Sequence, residues 1–102
     1  MSIEQVRMEL TQRISALDTK ADRLATRELA SEVDAVRRIA QSHGLFPAAT
    51  VAHVLDTALS RGERGALVHG WLGILRDAVG SERQDRPACD AYAAACSVRL
   101  AG

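Results

Sequence analysis

Apolar residues recur at steps of three and four along most of this chain, and that spacing limits the fold more than any other feature. The first apolar stripe consists of Ile3, Val6, Leu10, Ile14 and Leu17. Ser2 precedes it, and with Gln5 three residues later it has the form of a capping box. No segment alternates with the two-residue period of a strand. The sequence therefore predicts an all-α fold.

Glycine and proline divide this helical pattern into separate helices. A second helix is expected to start near Thr26 and to end at Gly44, because glycine takes the left-handed conformation that closes a helix. Pro47 suits the first turn of a third helix, since its missing N–H has no partner to lose there. Gly62 ends the third helix and Gly80 ends the fourth. Four amphipathic helices are thus predicted before residue 81.

A polar stretch follows, and a last short helix is expected over about residues 85–98. Short loops between amphipathic helices make neighbouring helices antiparallel. The pattern therefore predicts an antiparallel up-and-down four-helix bundle with an additional short C-terminal helix. A length of 102 residues suits one domain, assigned to 1–102.

The charges of the chain cancel, with 13 basic and 13 acidic residues. A nucleic-acid-binding protein needs a basic face to displace counterions from phosphates, so we expect no nucleic-acid partner. No run approaches the roughly 20 apolar residues that span a bilayer. The N-terminus begins with a charged amphipathic segment rather than the apolar run of a signal peptide. We therefore expect no membrane partner and a cytoplasmic location.

Residues that commonly carry catalysis or bind metals are sparse. Cys89 and Cys96 lie seven positions apart on a predicted helix, which separates their Cα atoms by about 10 Å, beyond disulfide range. Both fall on the inward stripe, where apolar surroundings make a thiol inert. The cysteines and the three histidines show no metal-ligand spacing. We expect no enzymatic activity, no metal and no cofactor.

Three segments between Val33 and Val79 follow one another in the same order as the turn and helices of a known domain. Gly44-Leu45 reads as a glycine–hydrophobic turn, Val54–Gly62 as the end of the next helix, and Leu67–Val79 as the helix after it. With the helix that starts at Ile3, this pattern over about residues 3–80 resembles a histidine-containing phosphotransfer (HPt) domain. That resemblance implies a helical bundle that exchanges phosphoryl groups with receiver domains and histidine kinases.

The HPt motif, A-H-x-L-K-G-x-A-x-x-x-G, is altered at its active positions. Counting back from Gly44, the histidine position holds Asp34, the lysine position Arg37 and the glycine position Arg38. An aspartate offers no imidazole nitrogen to a phosphoryl group, and an arginine in place of glycine obstructs a receiver domain. The resemblance therefore implies a degenerate, HPt-like domain without its phosphoacceptor.

Its expected role is non-catalytic docking of a protein partner, such as a receiver domain or a histidine kinase. The helical wheel places Asp34 on the exposed side of its helix, where it can pair with Arg38 four residues later. The predicted partner-binding face comprises Arg27, Asp34, Arg37, Arg38 and Gln41.

An alternative is active phosphotransfer through His53. The wheel places His53 on an exposed face, and Ala52-His53-Val54-Leu55 matches the first four letters of the motif. The next two residues, Asp56 and Thr57, replace the lysine and glycine. A carboxylate at i+3 could still orient the imidazole.

A second alternative is a structural homodimer. Leu67 and Ile74 fall outside the main apolar stripe of the fourth helix, so that helix needs cover on two sides. Gly70 and Gly73 share this second side and would permit close approach of another backbone. Either the C-terminal helix covers it through Tyr92 and Cys96, or a second copy packs there in a seam of Leu67, Gly70, Gly73 and Ile74.

Overall fold

The computed structural model describes residues 2–81 and 86–101, and within them the regular structure is entirely helical. The elements are α1 (Ile3–Lys20), a short 3₁₀ helix η1 (Ala21–Arg23), α2 (Thr26–Ser42), α3 (Phe46–Ser60), α4 (Ala66–Val79) and α5 (Arg86–Ala101). The all-α prediction is confirmed. None of the described helices combines the length and the apolar character needed to cross a membrane.

The ends of the helices follow the local signals of the sequence. The Ser2 hydroxyl accepts a hydrogen bond from the Gln5 N–H, and the Gln5 side chain accepts one from the Ser2 N–H, which completes the capping box. After α2, Gly44 adopts a φ of 74°, and Leu45 N–H donates to Ala40 O at 2.8 Å. This geometry is a Schellman closure, which only glycine enters without strain.

Helix α3 lies at the centre of the packing, in contact with α2, α4 and α5, while α1 packs against α4 and α2. All five α-helices contribute to one buried cluster. Its members include Val6, Leu29, Leu55, Leu72 and Cys96. Trp71 is the single aromatic side chain among the described buried residues, and it is fully buried. Hydrophobic burial of α3 on three sides therefore anchors its exposed side in a defined orientation.

Helix α5 is longer than the short helix expected over 85–98, because its 16 residues continue to Ala101. Two side chains tie it to α4: Trp71 Nε1–H donates to the Cys96 carbonyl at 3.2 Å, and the Tyr92 hydroxyl donates to the Asp77 carbonyl at 3.3 Å. Cys96 is buried, but Cys89 is only half-buried, so the inward placement expected of both cysteines is correct for Cys96 alone.

Candidate functional site

Asp34 lies at the centre of an ion-pair cluster on α2. Arg37 donates to Asp34 Oδ1 from Nη2 at 2.8 Å and from Nε at 3.1 Å, and Arg38 Nε lies 3.1 Å from Oδ2. The hydrogen bond from Arg37, with the charges of both arginines, lowers the pKa of Asp34 below its ordinary 3.8 despite a smaller opposing effect of burial. The predicted pair with Arg38 is confirmed, and the shorter contact with Arg37 adds to it.

The other residues of the predicted face point to solvent to different degrees. The Arg38 side chain is 67% exposed although it pairs with Asp34, whereas Arg37 is 33% exposed. Arg27 and Gln41 are exposed. Asp34 itself is half-buried, with its carboxylate oxygens engaged by the two arginines. Of the two arginines that pair with Asp34, Arg38 is therefore the more available to a partner.

The groove between α2 and α3 brings together residues that were predicted as parts of separate sites. Arg37 and Gln41 of α2 and Phe46, Thr50 and His53 of α3 line an open cavity of about 320 Å³. Phe46 is 45% exposed, so part of its apolar surface is open to this cleft. Two residues of the predicted partner-binding face thus share a cleft with the alternative phosphoacceptor, whereas Arg27 and Arg38 line other depressions of the surface.

His53 is exposed, as predicted. No described residue hydrogen-bonds to its ring; Thr57 Oγ1 donates to the main-chain carbonyl of His53 instead. Asp56 is half-buried and does not orient the imidazole as the i+3 spacing suggested. The ring nitrogens of His53 are thus available within the cleft.

Of the four residues of the predicted dimer seam, one is buried within the chain and three are partly accessible. Ile74 is 8% exposed, and Leu67, Gly70 and Gly73 are half-buried. A Cβ built on Gly73 would meet no other described group within 4 Å, so the close approach proposed there does not occur within the chain. The homodimer remains a prediction, and light scattering over a concentration series would test it.

A second polar cluster, formed by residues of α1, η1 and α4, was not predicted from the sequence. His69 of α4 places Nδ1 against Asp18 Oδ1 of α1 and Nε2 2.9 Å from Asp22 Oδ1 of η1. These partners lie 51 and 47 residues away in sequence. Asp18 and Asp22 share the one-turn spacing of facing side chains, which is the only local signal of the cluster.

Arg64, in the connection between α3 and α4, binds the segment that joins α1 to α2. Its Nη2 donates to the carbonyl oxygens of Ala21 and Leu24, both at 2.8 Å, and its Nη1 donates to Thr26 Oγ1 at 2.9 Å. The segment between α1 and α2 is therefore fastened to α4 by His69 and to the α3–α4 connection by Arg64.

Among the described residues, no three histidine, cysteine or acidic side chains converge in an arrangement suited to a metal ion. In the His69 cluster both ring nitrogens already face carboxylates. Comparison of the chain with protein-family models, with curated proteins and with solved structures finds no match.

Proposed function

We propose that this chain is a non-catalytic protein-interaction module: an HPt-like, up-and-down bundle of α1–α4, extended by α5, that docks a protein partner through α2 and α3. The docking face comprises Arg27, Asp34, Arg37, Arg38 and Gln41 of α2 and Phe46 and His53 of α3. The observation that carries the proposal is the half-exposed Phe46 ring in one cleft with Arg37 and His53.

This composition is typical of the energetic centre of a protein interface. Aromatic and arginine side chains dominate binding hot spots, because they combine a large apolar contact area with directed hydrogen bonds. Covering the remaining exposed part of the Phe46 ring would add hydrophobic stabilisation to a complex. Arg37 is already oriented by Asp34, so less conformational entropy is lost when it binds.

The charge of the docking face indicates an acidic partner. Three arginines stand against one aspartate, whose carboxylate is already paired with two of them. An acidic surface would complement this excess and would accelerate association through electrostatic steering. The resemblance to HPt domains identifies the candidate: a receiver domain, which presents its phosphorylatable aspartate to such domains.

Charge reversal and truncation of the docking face would test the proposal. Arg38→Glu and Phe46→Ala are each expected to weaken binding to a responsive receiver domain or histidine kinase by about tenfold, or about 1.4 kcal/mol. Arg76→Glu is the matched control, since Arg76 is an exposed arginine in the second half of α4, outside the face. Titration calorimetry would measure the affinities, and circular dichroism would verify the folding of each variant.

Unchanged affinity of both face variants towards a partner that binds the wild type would refute the docking face. An equal loss in Arg76→Glu would show that the effect arises from overall charge rather than from this surface.

His53 supports a second candidate function, active phosphotransfer. Its exposed ring has no partner among the described residues, and Arg37 in the same cleft could balance the charge of a phosphoryl group. Incubation with a phosphorylated receiver domain would then yield an acid-labile label that His53→Ala abolishes. His43→Ala is the control, since His43 is an exposed histidine at the end of α2, outside that cleft. No label, or a label that survives His53→Ala, would reject this function.

A further inference from the structure

The cluster of His69, Asp18 and Asp22 connects three elements through one side chain. His69 lies in the first turn of α4, with its main-chain N–H bonded to the Gly65 carbonyl. Its ring is about one-third exposed and bridges two carboxylates, Asp18 at the end of α1 and Asp22 in η1. The Asp18 side chain is 33% exposed and that of Asp22 71%, so the second contact lies at the surface.

This geometry specifies the protonation of the imidazole. Ionised carboxylates only accept hydrogen bonds, so each ring nitrogen that faces one must carry a proton. A neutral imidazole has a single N–H and would turn the lone pair of its other nitrogen towards a carboxylate oxygen. The pair of contacts is therefore complete only in the imidazolium form, where both hydrogen bonds are charge-assisted.

The surrounding charges favour the same form. The hydrogen bond to Asp18, then that to Asp22, raises the pKa of His69 above its ordinary 6.5, with burial as a smaller opposing effect. Arg64, the nearby cation of the α3–α4 connection, is bound to main-chain oxygens of the segment between α1 and α2. Of the described residues in α3 and α5, which also pack against α4, none forms a hydrogen bond or ion pair with the ring.

We propose that His69, Asp18 and Asp22 form a proton-dependent latch, which fastens η1 to α4 when the imidazole carries two protons and releases Asp22 when it carries one. The proton retained is the one on Nδ1, because Asp18 is the more buried partner. The proton lost is the one on Nε2, which faces the exposed Asp22. Arg64 and the hydrophobic core hold the rest of the fold, so the release is local. The latch stands apart from the docking face and is independent of its role.

The direction of the pH dependence follows from the cluster. When folding raises the pKa of a group, the group stabilises the folded state fully at pH values below the pKa that it has in the unfolded chain. This stabilisation is lost as the pH rises through the higher pKa of the folded state. The latch is therefore closed below the raised pKa of His69 as long as both carboxylates are ionised, and it opens as the pH rises through that pKa.

The first test is a heteronuclear NMR titration of the histidine rings. The His69 midpoint is expected above 6.5 in the wild type and lower in both Asp18→Asn and Asp22→Asn, and neutral His69 is expected to keep its proton on Nδ1. A wild-type midpoint at or below 6.5, or a neutral ring protonated on Nε2, would overturn the proposal.

The second test measures amide hydrogen exchange in residues 21–24, corrected for the intrinsic pH dependence of exchange. Protection of these amides is expected to fall several-fold above the His69 midpoint, while protection of the core at Leu55 is unchanged. His69→Gln should remove this pH dependence, and His53→Gln, which alters an exposed histidine outside the cluster, should retain it. Asp22→Asn gives a second variant if His69→Gln folds poorly. Equal protection on both sides of the midpoint, or a pH dependence that survives both cluster variants, would overturn the latch.

Discussion

Removing the half-buried Arg64 guanidinium should destabilise the fold more than removing an exposed arginine such as Arg76. This side chain joins the α3–α4 connection to the segment between α1 and α2 through three hydrogen bonds, two to main-chain carbonyls and one to Thr26 Oγ1. The variant of choice is Arg64→Met, because methionine retains an apolar stem and removes the donors. The substitution therefore tests the hydrogen bonds with little loss of packing.

The expected magnitude follows from the environment of each bond. The two bonds to the partly buried carbonyls of Ala21 and Leu24 contribute about 1 kcal/mol each, and the exposed bond to Thr26 contributes less. The free energy of unfolding should thus fall by about 2 kcal/mol. For a domain of this size, that loss lowers the thermal midpoint by roughly 8–16 °C.

Urea denaturation and thermal melting, both followed by circular dichroism, would measure the loss. The matched control is Arg76→Met, since Arg76 makes a single long contact of 3.5 Å with Ser15, and its loss should cost less than about 0.5 kcal/mol. Arg64→Lys should fall between the wild type and Arg64→Met, because one ammonium cannot reproduce the fork of the guanidinium. A loss for Arg64→Met no larger than that of the control would refute the role assigned to this side chain.

Four single substitutions give three further predictions. Trp71→Phe removes the indole donor to the Cys96 carbonyl and leaves a small cavity. The free energy of unfolding, measured by urea denaturation with circular dichroism, should fall by about 2–3 kcal/mol. A decrease below about 1 kcal/mol would contradict this prediction. Gly44→Ala should lower the free energy of unfolding by about 1 kcal/mol, because φ is positive at that position. Gly73→Ala should raise it by about 0.5–1 kcal/mol, because Gly73 lies in a helix with open space around it. Changes of the same sign for both variants in the same assay would refute this distinction. Because the pKa of Asp34 is lowered in the folded state, the ionised carboxylate stabilises the fold above pH 3.8, and this stabilisation is lost as the pH falls through the folded-state pKa. Asp34→Asn should therefore reduce the decrease of the thermal midpoint on the acid side. A pH profile identical to that of the wild type would contradict this prediction.

The helices and their ends could be predicted from the sequence because the signals for them are local. A period of three to four apolar residues, the Ser2 and Gln5 capping box, and Gly44 after α2 each act within a few residues. The pairing of Asp34 with Arg38 is of the same kind, since one helical turn brings the two side chains together. These features do not depend on how the rest of the chain packs.

The groups of residues that suggest function required the packing of the helices. Phe46 and His53 share a cleft with Arg37 only because α3 packs against α2 with a particular rotation. His69 meets Asp18 and Asp22 only because the first turn of α4 lies beside the end of α1. Arg64 reaches its carbonyl partners across about forty residues of sequence for the same reason.

The sequence by itself therefore determined an all-α chain and the approximate bounds of its helices. The tertiary structure decided which exposed side chains share a surface and which charged groups meet. The physical reason is that a periodic pattern defines the buried face of each helix but not its rotation and offset against a neighbour. Those depend on how the side chains of both helices interlock, as α3 does with α2, α4 and α5.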